Sequence, residues 1–168
     1  MFVAKVPCAR DESLRRADIR GANFTLANMR YVDFRGTLMD NTTTIDSKSR
    51  LVWQILNQGA TGRDLHGTNL SSIFLQGAIL TSANLTNAVC TASVFDLANL
   101  GGANLTRANF TSTTFFQSIL TNANLSLAIF RFTDLTSANL RNAITNGADF
   151  TGATFSNTIM PDGSIRNF

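Results

Sequence analysis

Residues 98–110 read ANLGGANLTRANF, and the five-residue unit repeated in them governs most of the chain. Within this stretch a leucine or phenylalanine recurs every fifth residue, each with alanine two places earlier. The spacing of large apolar residues extends through 21 consecutive positions from Leu65 to Ile165, and Thr145 alone breaks it. A small residue stands two places earlier at 19 of these 21 positions. We call the fifth, large residue the centre of its unit.

A five-residue period fits neither an α-helix nor a β-strand, whose faces repeat every 3.6 or 2 residues. A solenoid explains it if each unit forms one short side followed by a corner. Phenylalanine centres recur 20 residues apart, which predicts four units per turn, a square coil, and phenylalanine on two neighbouring sides. These centres are Phe95, Phe115 and Phe155 on one side and Phe110, Phe130 and Phe150 on the next.

The period is interrupted once, between residues 40 and 62. Leu51–Leu56 carry apolar residues at helical spacing, Asp46 or Ser47 is a suitable N-cap, and Gly59 is a suitable C-terminal stop. We therefore predict a helix near residues 47–58, preceded by a loop at 41–45. The predicted organisation is one domain over residues 1–168, with an N-terminal cap at 1–13, first repeats at 14–39, a helical insertion at 40–62 and the main repeat at 63–168.

The units share a narrower pattern, alanine, then asparagine or aspartate, then leucine or phenylalanine. It occurs in phase at residues 83–85, 98–100, 103–105, 108–110, 123–125, 138–140 and 148–150. Over about 130 of its 168 residues the chain resembles the pentapeptide-repeat proteins. The resemblance implies an all-β solenoid, the right-handed quadrilateral β-helix of that family. Residues 51–59 are similar to the helical segment of interrupted members, many of them cyanobacterial.

Charge is sparse, at 15% of residues compared with ~25% in typical soluble proteins. Residues 64–168 carry four basic and five acidic groups, a net charge of −1. Family members that bind DNA gyrase are similar in outline to a DNA duplex, which requires a strongly negative surface. A regulator of a DNA-related target such as gyrase is therefore the disfavoured alternative. We interpret the basic N-terminal positions as a solvated rim rather than a nucleic-acid contact; these are Arg15, Arg20, Arg30 and Arg35, with Asp18, Asp33 and Asp40 as partners.

The sequence contains no recognisable catalytic set, metal-ligand spacing or cofactor motif. His66 is the one histidine and falls at an outward position, and Cys90 replaces an apolar centre. Two cysteines make no disulfide framework. Met1–Arg10 lacks the apolar core of a signal peptide, and no stretch approaches the ~20 apolar residues of a membrane span. We therefore predict a non-enzymatic protein without cofactor or metal, located in the cytoplasm.

Large apolar residues at outward positions mark a candidate interaction patch. Assigned by the 20-residue period, Phe74, Val94, Leu97 and Phe116 fall on one side, with Trp53 of the predicted helix as the fifth member. A second set, Ile79, Ile119 and Ile159, falls on the next side. Two interpretations stay open: a surface for an unknown protein partner, or a surface covered by the inserted helix or by a second copy of the chain. The predicted function is a structural or protein–protein interaction module of unknown pathway.

The C-terminal end predicts a further contact. No helix follows Ile165, so Met160, Ile165 and Phe168 leave the last coil without an evident cap. Pentapeptide-repeat proteins also pair end to end through their C-terminal coils. The resemblance therefore implies a homodimer through this end.

Overall fold

A computed structural model of the chain describes residues 13–167. The N-terminal cap predicted for residues 1–13 falls outside this range apart from Ser13, as do Cys8 and Phe168. Within the described residues, no helix is both long and apolar enough to cross a bilayer.

The main repeat forms a coil in which each turn takes 20 residues. Parallel bridges join positions 20 apart, from Asp64↔Asn84 to Asn139↔Ile159, and every bridged residue directly precedes a centre. Backbone groups pair between successive turns, as where the Leu100 N–H donates to the Ile119 oxygen at 2.7 Å. The four-unit square coil predicted from the sequence is therefore present.

We number the four sides of the coil by their centres. The centres are Leu65, Leu85, Leu105, Leu125 and Thr145 on side 1; Leu70, Cys90, Phe110, Phe130 and Phe150 on side 2; Leu75, Phe95, Phe115, Leu135 and Phe155 on side 3; and Ala60, Leu80, Leu100, Leu120, Leu140 and Met160 on side 4.

Aromatic rings stack along the interior of sides 2 and 3. The ring centroids of Phe110 and Phe130 lie 5.0 Å apart, and those of Phe95 and Phe115 lie 5.2 Å apart. Both separations are close to the ~4.8 Å between neighbouring strands, so one turn of the coil places one ring on the next. Phe110 also meets Phe115 edge to face at 5.1 Å. The predicted placement of phenylalanine on two neighbouring sides is confirmed.

The small residue two places before each centre also points inward. Ala98, Ala103 and Ala108 are fully buried there. Where a hydroxyl replaces the methyl group, it donates to the backbone of the preceding turn, as from Thr113 to the Cys90 oxygen at 2.7 Å. Small size and a local hydrogen bond both keep this position compatible with a dry core.

Helix α1 covers the point where the first repeats meet the main coil. It spans Ser47–Gln58, and its N-cap is Asp46, whose side chain accepts a hydrogen bond from the Ser49 N–H at 2.9 Å. Val52 and Ile55 are buried in the continuous core that α1 shares with the coil. A helix of this length was expected from the spacing of its apolar residues.

The coil reaches closer to α1 than the expected insertion boundaries of 40 and 62. Thr44 bridges Asn23, and the Thr43 hydroxyl donates to the Ile19 oxygen at 2.9 Å. Residues 41–45 therefore form a repeat unit rather than the expected loop, with one extra residue because this bridge spans 21 positions instead of 20. On the other side, the Ala60 N–H already donates to the Ile79 oxygen at 2.9 Å.

The C-terminal end folds back as a hairpin. Strand β1, Thr158–Ile159, pairs antiparallel with strand β2, Ile165–Arg166. The five-residue spacing predicted that Ile165 is a centre, and this prediction is wrong. Its side chain is 66% exposed. The Arg166 guanidinium lies 4.2 Å from the Phe155 ring centroid, so the hairpin shields part of the last turn.

Thr145 interrupts the spacing of apolar centres at a position where a polar side chain is tolerated. It is a centre in the last full turn of side 1 and is only half-buried. Its partial exposure follows from its place in the coil, because no complete turn covers this end.

Candidate interaction surface

Two exposed apolar residues occupy neighbouring backbone positions at the corner between sides 3 and 4. Leu97 and Phe116 follow the centres Phe95 and Phe115 on successive turns, and the Leu97 N–H donates to the Phe116 oxygen at 2.8 Å. Their exposed fractions are 51% and 39%. The structure thus places these two predicted patch residues side by side and open to solvent.

Phe74 and Val94 lie next to this corner on side 3. They form a parallel bridge with each other, and both side chains are half-buried. The Arg35 guanidinium lies 5.0 Å from the Phe74 ring centroid and is held there by an ion pair with Asp33 at 2.7 Å. Phe74 is thus covered by an arginine of the first repeats, which sequence spacing did not indicate.

Trp53 has a different role from the other four patch residues. Its indole N–H donates to the Thr37 oxygen at 2.8 Å, so its ring contacts the first repeats. Helix α1 leaves Leu97 and Phe116 exposed, so it does not cover this part of the predicted patch. We call Phe74, Val94, Leu97 and Phe116 the corner patch.

Leu97 adopts a backbone conformation that disfavours its side chain. Its φ is +59°, in the left-handed region, as at the other corner positions two residues after a centre from Gly62 to Asn157. A residue with a Cβ in this region costs roughly 1–2 kcal/mol relative to ordinary helical geometry. Glycine or asparagine meets this requirement more easily, and both occur at other corners, including Gly77 and Asn157 on the same edge. Leu97 therefore combines backbone strain with an exposed apolar side chain.

Two similar residues on other edges have an explanation within the chain. Leu127 and Phe132 are also exposed and left-handed, but each lies over a glycine one turn later. A Cβ at Gly152 would stand 2.6 Å from the Phe132 ring, and one at Gly147 would stand 2.8 Å from Leu127. The five-residue period alone does not indicate this packing, but a glycine 20 residues after a large corner residue is a sequence signal for it.

The groups capable of chemistry are dispersed or occupied. Among residues 13–167, no group of histidine, cysteine and acidic residues is arranged to hold a metal ion. Cys90 is buried, and that burial raises the pKa of its thiol. The charged rim is paired as predicted at Arg20, where the ion pair lowers the pKa of Asp18 to about 2. Arg30 donates to the Ser72 hydroxyl at 2.9 Å.

A family model described as pentapeptide repeats matches residues 13–43, 64–89, 93–131 and 133–167 in eight copies. Proteins of that family fold as right-handed quadrilateral β-helices, in agreement with the 20-residue turns described above. A comparison with curated protein sequences produced no match.

Several solved structures are similar to this chain. Rfr23, a pentapeptide-repeat protein from the cyanobacterium Cyanothece 51142, is 30% identical with a TM-score of 0.53, over 54% of this chain and 62% of its own. HetL from Nostoc sp. strain PCC 7120, involved in heterocyst differentiation regulation, is 27% identical with a TM-score of 0.47, over 92% and 68%. QnrB1, a plasmid-mediated fluoroquinolone resistance protein, is 23% identical with a TM-score of 0.54, over 89% and 66%. The match to Rfr23 thus covers less than two thirds of that protein.

Proposed function

Since the chain belongs to the pentapeptide-repeat family, we propose that it is a non-enzymatic module that binds a protein partner through the corner patch. The observation that carries the proposal is Leu97, an apolar residue that is both half exposed and held in a left-handed conformation. Neither property stabilises the isolated chain. A partner that buries Leu97 and Phe116 offsets both costs.

The partner surface expected here is small and apolar. Burial of apolar area contributes about 25 cal/mol per Å², so covering Leu97 and Phe116 supplies a few kcal/mol toward association. Asp96 lies beside them, and its carboxylate accepts a hydrogen bond from the Phe116 N–H at 3.0 Å. The carboxylate thereby holds the corner backbone in place, which gives the partner a preorganised surface.

A pull-down from native cell extract tests the proposal. The double variant Phe116→Asp with Val94→Asp should lose the captured partner, because two charges would be buried on binding. Leu97→Asn should also weaken capture while leaving the fold at least as stable, since asparagine tolerates a positive φ. Ile144→Asp is the matched control, because Ile144 is 48% exposed on side 1, away from the patch. Undiminished capture by the double variant would refute the proposal.

The alternative, a regulator of a DNA-related target such as gyrase, has less support. The likeness to QnrB1, at 23% identity, concerns the fold alone. Residues 64–168 carry four basic and five acidic groups, far from the negative surface of a DNA mimic. Inhibition of gyrase in a supercoiling assay, or retention of DNA at low salt, would revive this alternative.

Two further predictions concern assembly and location. Homodimerisation through the C-terminal coil loses part of its basis, because the β1–β2 hairpin and Arg166 occupy the end that the sequence left uncapped. A cytoplasmic location, with no membrane or nucleic-acid partner, stays a prediction from composition.

A further inference from the structure

The residues that directly precede the side 4 centres form a row of bridged, outward positions along the coil, which we call the ladder. Its residue order is the same in both directions. Consecutive bridges join Ile79, Asn99, Ile119, Asn139 and Ile159, so the ladder alternates isoleucine and asparagine about Ile119. Ile79 is 53% exposed and Ile119 is 40% exposed. No residue of this ladder is charged.

The two asparagines of the ladder are held alike. The Asn99 carboxamide oxygen accepts a hydrogen bond from the Gly101 N–H at 3.0 Å, and that of Asn139 accepts one from the Arg141 N–H at 3.0 Å. This local bond sets the orientation of both amides. The two amides are therefore oriented alike on either side of Ile119, and the ladder is symmetric about Ile119 in residue type.

We propose that side 4 is an interface for a second copy of this chain, with the two coils antiparallel and a two-fold axis at Ile119. Two-fold interfaces bring one surface against itself, so they require a self-complementary surface. Here Ile119 meets Ile119 of the second copy, and Ile79 meets Ile159 of the second copy. Asn99 meets Asn139 of the second copy, so each amide has an amide opposite it.

The edges of side 4 favour the antiparallel arrangement over a parallel one. Antiparallel pairing brings each edge against the same edge of the second copy. Phe116 then lies against Phe116 of the second copy beside the axis, and the polar edge containing Thr121 lies against itself. Parallel pairing would instead place Phe116 against Thr121. The charged edge residue Arg141 faces Gly101 of the second copy, so no like charges are opposed.

The hairpin extends the same surface by one position. Ile165 is the bridge partner of Ile159, and directly paired residues of antiparallel strands project to one face. The two-fold axis at Ile119 brings Ile165 against Gly59 of the second copy. Gly59 lies one turn before Ile79 on the same side of the coil. A Cβ at Gly59 would meet nothing within 4 Å, so there is room beside it for a side chain.

The size of the surface predicts a weak association. Five positions at ~4.8 Å spacing span roughly 20 Å along the coil. Such a face is smaller than the ~800 Å² per partner of a standard stable interface. The pair is therefore best captured by covalent trapping. This inference goes beyond the proposed function and shares with it only the edge at Phe116.

Cysteine pairs and a short bis-maleimide test the interface and its direction. The full chain with Cys8→Ser is the background, and Cys90 is left in place because it is fully buried. Ile119→Cys should cross-link to itself. Ile79→Cys mixed with Ile159→Cys should give more dimer than either variant alone. Ile144→Cys, on side 1, is the control and should stay monomeric at the same concentration.

Three results would overturn the inference. The first is cross-linking of Ile119→Cys no greater than that of the Ile144→Cys control. The second is self-linking of Ile79→Cys as strong as in the mixture, which indicates parallel pairing. The third is self-linking of Ile165→Cys without that of Ile119→Cys, which indicates end-to-end pairing. Capture of a partner in the pull-down is a separate measurement, so failure of the corner patch and failure of this interface are distinguishable.

Discussion

The main coil, residues 60–160, and the junction around α1 satisfy their backbone groups in different ways. In the coil, backbone bonds to backbone one turn away, as where the Leu105 N–H donates to the Asn124 oxygen at 2.8 Å. At the junction, side chains of α1 take this role. Asn57 donates to the Phe34 oxygen at 2.8 Å and accepts from the Gly36 N–H at 2.6 Å.

This difference indicates which interactions stabilise each region. Coil hydrogen bonds recur at every turn and do not depend on residue type, so coil stability varies with the packing of the centres. The backbone groups that face α1, such as those of Phe34 and Gly36, have no neighbouring turn to bond to, so a few unique polar side chains are their partners. Substitution should therefore act through apolar volume in the coil and through hydrogen bonds at the junction.

The largest effect is expected from Phe110→Ala. Phe110 is fully buried and contacts the rings of Phe95, Phe115 and Phe130. Its truncation should lower the free energy of unfolding by about 3–5 kcal/mol, through lost burial and the cavity left behind. Denaturant unfolding measures the change. Phe150→Ala is the control, since Phe150 is half-buried in the last turn and should cost clearly less. Equal losses would mean that the end is packed as tightly as the centre.

An intermediate effect is expected from Asn57→Ala. This change leaves the Phe34 oxygen and the Gly36 N–H without their side-chain partner, which should cost about 0.5–1.5 kcal/mol by the same unfolding measurement, because both bonds are at least partly open to water. Gln58→Ala tests helix propensity alone, because Gln58 is exposed on the same turn of α1. A neutral Asn57→Ala would show that backbone groups at the junction find other partners or water.

The smallest effect is expected from the ion pair that covers Phe74. Burial opposes ionisation of Asp33, but hydrogen bonds from Arg35 outweigh it and keep the pKa of its carboxyl below the usual value. A lowered folded-state pKa contributes stability above about pH 4, and this contribution is lost as the pH falls through the folded-state pKa. Arg35→Gln should reduce the free energy of unfolding by about 1 kcal/mol or less at pH 7.

The measurement for this pair is denaturant unfolding of both proteins as a function of pH. The difference between Arg35→Gln and the unsubstituted chain should narrow below about pH 4, where Asp33 protonates in the variant first. A difference that stays constant with pH would assign the role of Arg35 to its packing on Phe74 rather than to its charge.

The repeating part of the fold was predictable because each contact is made many times. The 20-residue spacing of Phe110, Phe130 and Phe150 predicts the length of a turn. In the structure each of these rings stacks on the next in the same way. The helix was also predictable, because its N-cap and apolar spacing are local. The repeat unit at Thr44 was not predicted, because one extra residue shifts it out of the five-residue spacing. Ile165 was wrongly predicted as a centre, because the five-residue spacing does not continue through Pro161–Gly163, which forms the turn of the hairpin.

The candidate surface was predictable to a similar degree. Leu97 and Phe116 follow directly from the period, which assigns each residue to a side and an edge. Trp53 was assigned to the same patch, but its orientation depends on how α1 rotates on the coil. The covering of Phe74 by Arg35 depends on a contact 39 positions away in sequence, outside any period.

Residue order alone decides that this chain is a four-sided coil with aromatic and aliphatic sides, because the spacing of centres is a local property repeated along the chain. The three-dimensional arrangement decides how α1 closes the junction, how the hairpin ends the coil, and which outward apolar residues stay exposed. These features depend on single long-range contacts. Each contact occurs once, so no repetition in the sequence reveals it.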